Sequence, residues 1–217
     1  MKTTNLLSFA FFLFLSGVIN ATEPKKFAVI IAPTRVGDNS QNSQLVTFEE
    51  DDPFWNDTYL MWELLVTQKG FSDENVYVLF HNGIDKNLLL NMDWIDVRYT
   101  VAHSGLPLTH ITDYAARKED VTNVLTGLFD GSNGINKVSE DDFLFVFTFG
   151  HGMINDMGTS TQMGALRLQD YDMIDYKFAE LFSRIPANKR VIWMQNCVGG
   201  DFATQISNSI ESMVSTN

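Results

Sequence analysis

The sequence predicts an α/β fold in which a mostly parallel sheet carries helices on both faces. Three observations predict it: strands alternate with helices, each strand is a short continuous apolar run, and polar or glycine-rich turns separate the elements. A strand that is apolar at every position is typical of a parallel sheet covered on both sides. In such sheets, functional sites form beyond the carboxyl ends of the strands.

The first half of the chain supplies two strands and two helices. The β-branched, continuous apolar runs predict strands at 27–32 and 76–80. Apolar residues at i,i+4 spacing predict a helix at 57–69 that stops at Gly70, and a second helix at 118–129. The segments 33–52 and 81–113 have no clear period, which predicts a long loop and an insertion over one edge of the sheet.

The second half continues the alternation. Its apolar runs predict strands at 143–147 and 190–195, with a small strand at 166–168. Residues 150–164 hold four glycines and no long apolar run, which predicts a mobile loop. Helical spacing predicts a helix at 172–184 and a final helix at 201–214.

Residues 1–21 have the composition of a secretory signal peptide. Lys2 supplies a basic start, the stretch 6–19 is almost wholly apolar, and Ala21 provides a small residue before the cut. The apolar stretch is shorter than the ~20 residues of a bilayer span, and an uncleaved membrane anchor is the alternative. We therefore predict an exported protein, secreted or periplasmic, whose domain at 22–217 keeps no stable membrane span after signal removal.

Charge and cysteine content narrow the function. The formal net charge of −12 does not attract nucleic acid or anionic lipid through long-range electrostatics. Cys197 is the only cysteine, and so it forms no disulfide within the chain. Its thiol is therefore either a small apolar group of the core or a reactive group.

Two residues, each just beyond the end of a predicted strand, can carry chemistry. His151 stands in Phe149-Gly150-His151-Gly152, and Cys197 stands in Gln195-Asn196-Cys197-Val198-Gly199-Gly200. A thiol and an imidazole at one sheet edge can form a nucleophile–base pair that acts by acyl transfer through a thioester. The N–H groups of Gly152 and Cys197 are the predicted oxyanion hole. Gly199 and Gly200 are predicted to let the chain turn sharply into the last helix.

The remaining histidines give weaker evidence for a functional site. His81 precedes Asn82-Gly83, which predicts a turn. His103 and His110 lie in the irregular insertion without a second ligand pattern for zinc. No metal site and no cofactor are predicted.

Six segments, in order along the chain, resemble the legumain-like (C13) cysteine peptidases of the caspase–legumain–gingipain clan, particularly their exported bacterial members. The matching segments cover most of residues 26–202 and are Phe27 to Ala32, Phe54 to Asp57, Gly70 to Leu79, Ala116 to Val121, Glu140 to Gly152, and Gln195 to Gly200. The separation of His151 and Cys197 is also close to the ~50 residues found in caspases.

The resemblance implies a caspase-like fold with His151 and Cys197 as the catalytic dyad. It implies a peptide or protein substrate, cleavage after a particular P1 residue, and no metal or organic cofactor. In this clan the histidine need not contact the sulfur directly, because it can act by protonating the leaving amine. Hydrolysis and amide ligation share the same thioester, so both stay open, as do the P1 residue and the oligomeric state.

The chain departs from the family at several positions. Gly150 stands where the family has aspartate or another polar residue, Val198 where serine is usual, and Pro53 where an arginine helps form the specificity pocket. The family sheet continues past the nucleophile, whereas this sequence ends 20 residues after Cys197, which predicts that C-terminal strands are missing. The alternative function is a catalytically inactive caspase-like domain that binds a peptide or protein partner.

Overall fold

The computed structural model describes residues 23–34, 52–85, 110–156 and 162–215. Within these ranges the predicted α/β class is confirmed: a four-stranded parallel sheet has helices on both faces, and a three-stranded antiparallel sheet is formed by the segment after its third strand. The predicted signal at 1–21, His103 and most of the two irregular segments lie outside the described residues.

Strands and helices alternate along the chain except at 143–174, where the described strands follow one another without a helix. The strands are β1 (Lys26–Ala32), β2 (Val76–Phe80), β3 (Phe143–Phe149), β4 (Gly152–Asp156), β5 (Gln162–Arg167), β6 (Asp172–Ile174) and β7 (Lys189–Gln195). The α-helices are α1 (Asp52–Glu63), α2 (Lys118–Asp130), α3 (Asp175–Ser183) and α4 (Gly199–Ser215). A π-helical turn, Leu64–Gln68, extends α1, and a 3₁₀ turn, Asp73–Asn75, leads into β2.

The large sheet has the strand order β2–β1–β3–β7, and all its strand pairs are parallel. Residues 27–32 of β1 are completely buried, as their continuous apolar character predicts. The predicted insertion does reach one edge: the Asp113 N–H donates to the Val78 carbonyl, and Tyr114 forms a parallel bridge with Leu79.

One face of the sheet is covered by α1. Its buried stripe consists of three aromatic side chains spaced four and three residues apart, Trp55, Tyr59 and Trp62. The predicted helix start at Asp57 is wrong, because the prediction rests on aliphatic pairs whereas the aromatic side chains of the preceding turn already face the sheet. The predicted stop is confirmed by Gly70, whose φ of +70° suits glycine.

The opposite face is covered by α2, α3 and α4. Their buried apolar side chains form one core with alternate residues of β1; from the helices these are Val121, Val124, Leu125, Leu128, Phe178, Ala179, Leu181, Phe182, Phe202 and Ile206. Helix α2 ends at Gly131, which has a φ of +83° and donates to the Gly127 carbonyl at 2.7 Å. The prediction of helices on both faces is therefore confirmed.

The predicted mobile loop at 150–164 is wrong where the structure describes it. Strands β4, β5 and β6 form an antiparallel sheet there, and residues 157–161 lie outside the described ranges. Gly164 is buried against α4, where an added Cβ would lie 2.8 Å from the Asp201 Cβ. The Gly164 N–H also donates to the Asp175 carboxylate at 3.0 Å. This glycine therefore permits close packing, which composition alone does not distinguish from flexibility.

The same sheet shortens the predicted helix at 172–184. Residues 172–174 form β6, in which the Met173 side chain is buried, and α3 begins only at Asp175. The Asp175 carboxylate accepts hydrogen bonds from the N–H groups of Tyr176 and Gly164. An acidic residue at this position suits the positive end of a helix.

Candidate active site

His151 and Cys197 reach the same edge of the parallel sheet. The last register pair of β3 and β7 is Phe149 with Gln195, and each candidate residue stands two positions beyond its member of that pair. Both side chains are exposed. The predicted meeting of these two strand ends is therefore present in the structure, and Cys197 does not belong to the buried core.

Gly152 joins the two strand ends. A Cβ at this position would lie 2.0 Å from the Cys197 carbonyl oxygen and 3.2 Å from the Asn196 Nδ2. Contacts below 3.0 Å essentially never occur for real Cβ atoms, so only glycine fits here. The backbone after the histidine is thus in direct contact with the backbone of the cysteine.

The Gly152 N–H is directed away from its neighbouring strand. The Arg167 N–H donates to the His151 carbonyl at 3.0 Å, and Gly152 pairs in register with Leu166. Since bonded and non-bonded pairs alternate in an antiparallel ladder, Gly152 and Leu166 form a non-bonded pair. The Gly152 N–H therefore takes no part in the β4–β5 ladder, as an oxyanion-hole donor requires.

The turn after Cys197 differs from the predicted one. The residue in the left-handed region is Val198, with a φ of +60°, whereas Gly199 and Gly200 begin α4 with ordinary backbone angles. A β-branched residue in this region is strained, by about 1–3 kcal/mol. The turn is held by the Asp201 N–H, which donates to the Val198 carbonyl at 3.1 Å. Strained backbone beside an exposed cysteine is typical of functional sites.

Gly150 has a steric role before the histidine. A Cβ at residue 150 would lie 2.9 Å from the carbonyl oxygen of Pro33, at the end of β1. A larger residue would push the end of β3 away from β1. Glycine at this position therefore follows from close contact between two strand ends.

Phe54, in the first turn of α1, contacts the histidine ring. Its ring centroid lies 5.5 Å from that of His151 and 5.1 Å from that of Phe149, both in tilted arrangements. The sequence gives no signal for this contact, because Phe54 and His151 are brought together only by packing of α1 on the sheet.

Asn196 is a further residue that sequence reasoning missed. The Thr148 hydroxyl donates to the Asn196 Oδ1 at 2.8 Å, and the Asn196 Nδ2 donates to the Cys197 carbonyl at 3.0 Å. These bonds link β3 to the turn that carries the cysteine. A polar residue just before the cysteine is the only sequence signal for this link.

His81 lies at the same sheet edge but is buried. Its Nδ1 is 2.6 Å from the Thr34 hydroxyl, and burial lowers the pKa of its imidazole. The predicted turn is confirmed, because the Gly83 N–H donates to the Phe80 carbonyl at 2.8 Å. His81, which directly follows β2, therefore links the end of that strand to Thr34, just beyond the end of β1.

His110 contacts the carboxylate of Asp85 at 2.9 Å. Among the described side chains, no three His, Cys, Asp or Glu residues gather in a way that would hold a metal ion. In the same part of the chain, no helix is both long and apolar enough to cross a membrane.

No protein-family model matches the sequence, and no curated protein matches it significantly.

Proposed function

We propose that the protein is a cysteine-type endopeptidase that cleaves peptide bonds through Cys197 and His151. The observation that carries this proposal is the equivalent position of the two exposed side chains beyond paired strands, with Gly152 packed on the Cys197 backbone. The proposal is supported by the presence of a thiol, an imidazole and a backbone N–H group at one sheet edge, which is the set of groups that acyl transfer needs.

The acylation step uses all three groups. His151 takes the thiol proton, and the Cys197 sulfur attacks the carbonyl carbon of the scissile bond while the carbonyl electrons move onto oxygen. The N–H groups of Gly152 and Cys197 hydrogen-bond that oxyanion. The C–N bond then breaks, the His151 imidazolium gives its proton to the leaving amine, and a thioester remains.

The deacylation step repeats the same chemistry with water. His151 takes a proton from the water that attacks the thioester carbon. The C–S bond breaks, the carboxylic acid leaves, and the proton returns to the cysteine sulfur. If an amine attacks in place of water, the product is a new amide bond, so the substrate and not the dyad decides between hydrolysis and ligation.

The proposed fold family is the caspase-like one, with a legumain-like (C13) peptidase as the proposed relative. The α/β class, the parallel sheet and the sheet-edge site support it. Gly150, where the family has a polar residue, is accounted for by its contact with Pro33. Pro53 in place of the pocket arginine means that no P1 preference is carried over from the family.

Export through a signal at 1–21 is part of the proposal. It rests on the basic start, the apolar stretch and the small residue before the cut. Sequencing the N-terminus of the protein recovered from the medium or the periplasm tests it. A mature chain that begins at Thr22 supports export, and an uncut chain in the cytosol contradicts it.

Labelling with fluorescent peptidyl acyloxymethyl ketones tests the activity. A thiolate displaces the carboxylate of such a probe and forms a stable thioether, so labelling reports an activated cysteine. Five probes with asparagine, aspartate, arginine, alanine or phenylalanine at P1 cover the open specificity. We expect folded protein to react with at least one probe and urea-unfolded protein to react far more slowly; labelling that persists in Cys197→Ala contradicts the proposal.

The alternative function, peptide binding without cleavage, is favoured by one surface. On the outer strand β7, Val191 and Trp193 are exposed by 36% and 49%, beside an apolar groove of about 490 Å³ between β7, β3 and the end of α1. Contiguous exposed apolar patches on a protein surface commonly mark interaction sites or ligand-binding grooves. Peptide binding that quenches Trp193 fluorescence equally in wild type and Cys197→Ala, without any probe labelling, would support this alternative.

A further inference from the structure

We infer that Asn196 is a positioning residue, which holds the Cys197 carbonyl against Gly152 and thereby sets the geometry of the proposed oxyanion hole. The inference rests on the proposed peptidase function. It concerns the bridge formed by Thr148, Asn196 and the Cys197 carbonyl.

The bridge begins on a fixed point of the sheet. The Thr148 side chain is completely buried in β3, and Thr148 is the register partner of Met194 in β7. Asn196 follows two residues after Met194, so the alternation of a strand directs the two side chains to the same face. The Thr148 hydroxyl is thus a rigid anchor within reach of the residue that precedes the nucleophile.

The direction of the amide follows from its partners. A carbonyl oxygen only accepts hydrogen bonds, so the Asn196 atom that faces the Cys197 carbonyl must be the donor Nδ2. This leaves Oδ1 to accept from Thr148, whose hydroxyl therefore donates. Both ends of the amide are bonded, and the orientation of the side chain is fixed.

The anchored carbonyl is also the one that Gly152 contacts. An added Cβ at Gly152 would lie 2.0 Å from the Cys197 oxygen and 3.2 Å from the Asn196 Nδ2. Asn196 and Gly152 therefore both contact the peptide group between Cys197 and Val198 at its carbonyl oxygen. This peptide leads into the left-handed Val198, whose φ of +60° needs such restraint to persist.

The bridge affects the reaction by fixing the distance between the two proposed oxyanion donors. The proposed oxyanion donors are the N–H groups of Gly152, in β4, and of Cys197, in the turn after β7. If the bridge is lost, the Cys197 turn can relax away from Gly152, and small shifts of reacting groups cost about 10²-fold in rate. The affinity for the substrate should change little, because Asn196 contacts the enzyme backbone and not the peptide.

The test measures labelling kinetics with the most reactive peptidyl acyloxymethyl ketone, in wild type, Asn196→Ala, Asn196→Asp and Thr148→Val. We expect kinact to fall by about 10- to 100-fold in the Asn196 variants, while KI stays unchanged. Asn196→Asp keeps the acceptor for Thr148 but turns an oxygen toward the Cys197 carbonyl, so it should be as slow as Asn196→Ala. Thr148→Val should be slowed, and Thr148→Ser, which keeps the hydroxyl, should regain most of the lost rate.

Controls separate positioning from folding. Asn208→Ala changes an exposed asparagine of α4 and should label like wild type. Melting temperatures identify any variant that is merely unfolded, and the rate is expressed per folded molecule. Wild-type rates in folded Asn196→Ala overturn the inference while the proposed function stands. Wild-type protein that no probe labels overturns the proposed function and the inference together.

Discussion

Gly152 and Cys197 are in contact through backbone atoms, at a distance that leaves no room for a Cβ at residue 152. They lie on β4 and in the turn after β7, and between them they hold the two strand ends that carry His151 and the thiol. The contact makes the sheet edge a single unit rather than two independent loops.

The first prediction follows from this contact. Gly152→Ala should lower the rate of probe labelling by at least about 10²-fold, because the added methyl group displaces the Cys197 carbonyl and with it the proposed oxyanion donors. Gly200→Ala is the matched control, since a Cβ there meets no atom within 4 Å. Equal labelling rates in both variants would show that the contact has no role in the reaction.

The second prediction concerns the strained turn. Val198→Asn should raise the free energy of unfolding by about 0.5–1 kcal/mol, because asparagine tolerates positive φ far better than a β-branched residue. The same change at Val191 should lower stability, since asparagine is disfavoured in strands. Urea unfolding of both variants measures the two signs, and a loss of stability in Val198→Asn contradicts the proposed strain.

The third prediction concerns Gly127 in the middle of α2. Glycine to alanine normally stabilises a helix by about 1 kcal/mol. Here an added Cβ would lie 2.5 Å from the Ile135 Cβ and 2.7 Å from the Ser132 carbonyl oxygen. Gly127→Ala should therefore destabilise the protein, by about 1–3 kcal/mol. Thermal unfolding gives the sign, and a higher melting temperature would contradict the packing of residues 132–135 on α2.

The fourth prediction is a pH dependence of stability. Burial lowers the pKa of His81 in the folded protein, whereas the unfolded chain titrates near ~6.5. As the pH falls through about 6.5, the unfolded state takes up a proton that the folded state refuses, so the free energy of unfolding falls. Its full value is present at higher pH.

His81→Asn should flatten this slope between pH 8 and 5. Asparagine suits the φ of +43° at this position and can still bond the Thr34 hydroxyl. Urea unfolding at several pH values measures the slope in each protein. Identical slopes in wild type and His81→Asn would show that the buried imidazole is not responsible.

The sequence was a good guide to the parallel sheet and a poor one to the hairpin beside it. Runs such as Phe27 to Ala32 are apolar at every position because both faces are covered, and that property is local. Gly152 and Gly164 instead stand where other backbone or side-chain atoms come too close for a Cβ. Sequence composition does not separate a glycine needed for packing from one needed for flexibility.

The candidate site likewise combines residues that the sequence predicts with contacts that only the packing of the fold creates. The placement of His151 and Cys197 at one sheet edge could be predicted, because each follows an apolar run typical of a parallel strand. The contacts of Phe54, Thr148 and Asn196 arise from helix packing and strand register, which no short motif encodes. The sharp turn is predicted at Gly199 and Gly200, but the residue that takes the left-handed conformation is Val198, because the hydrogen bonds around the turn outweigh local preference.

Mass spectrometry of the probe-labelled protein tests the central proposal most directly, with His151→Ala beside the wild type. We predict one probe per wild-type molecule, attached to Cys197, and a much slower reaction in folded His151→Ala. Iodoacetamide, which needs no peptide site, serves as the control for an accessible thiol in both proteins. Peptide-probe labelling of Cys197 at the same rate with and without His151, or no labelling while iodoacetamide reacts, would contradict the proposed dyad.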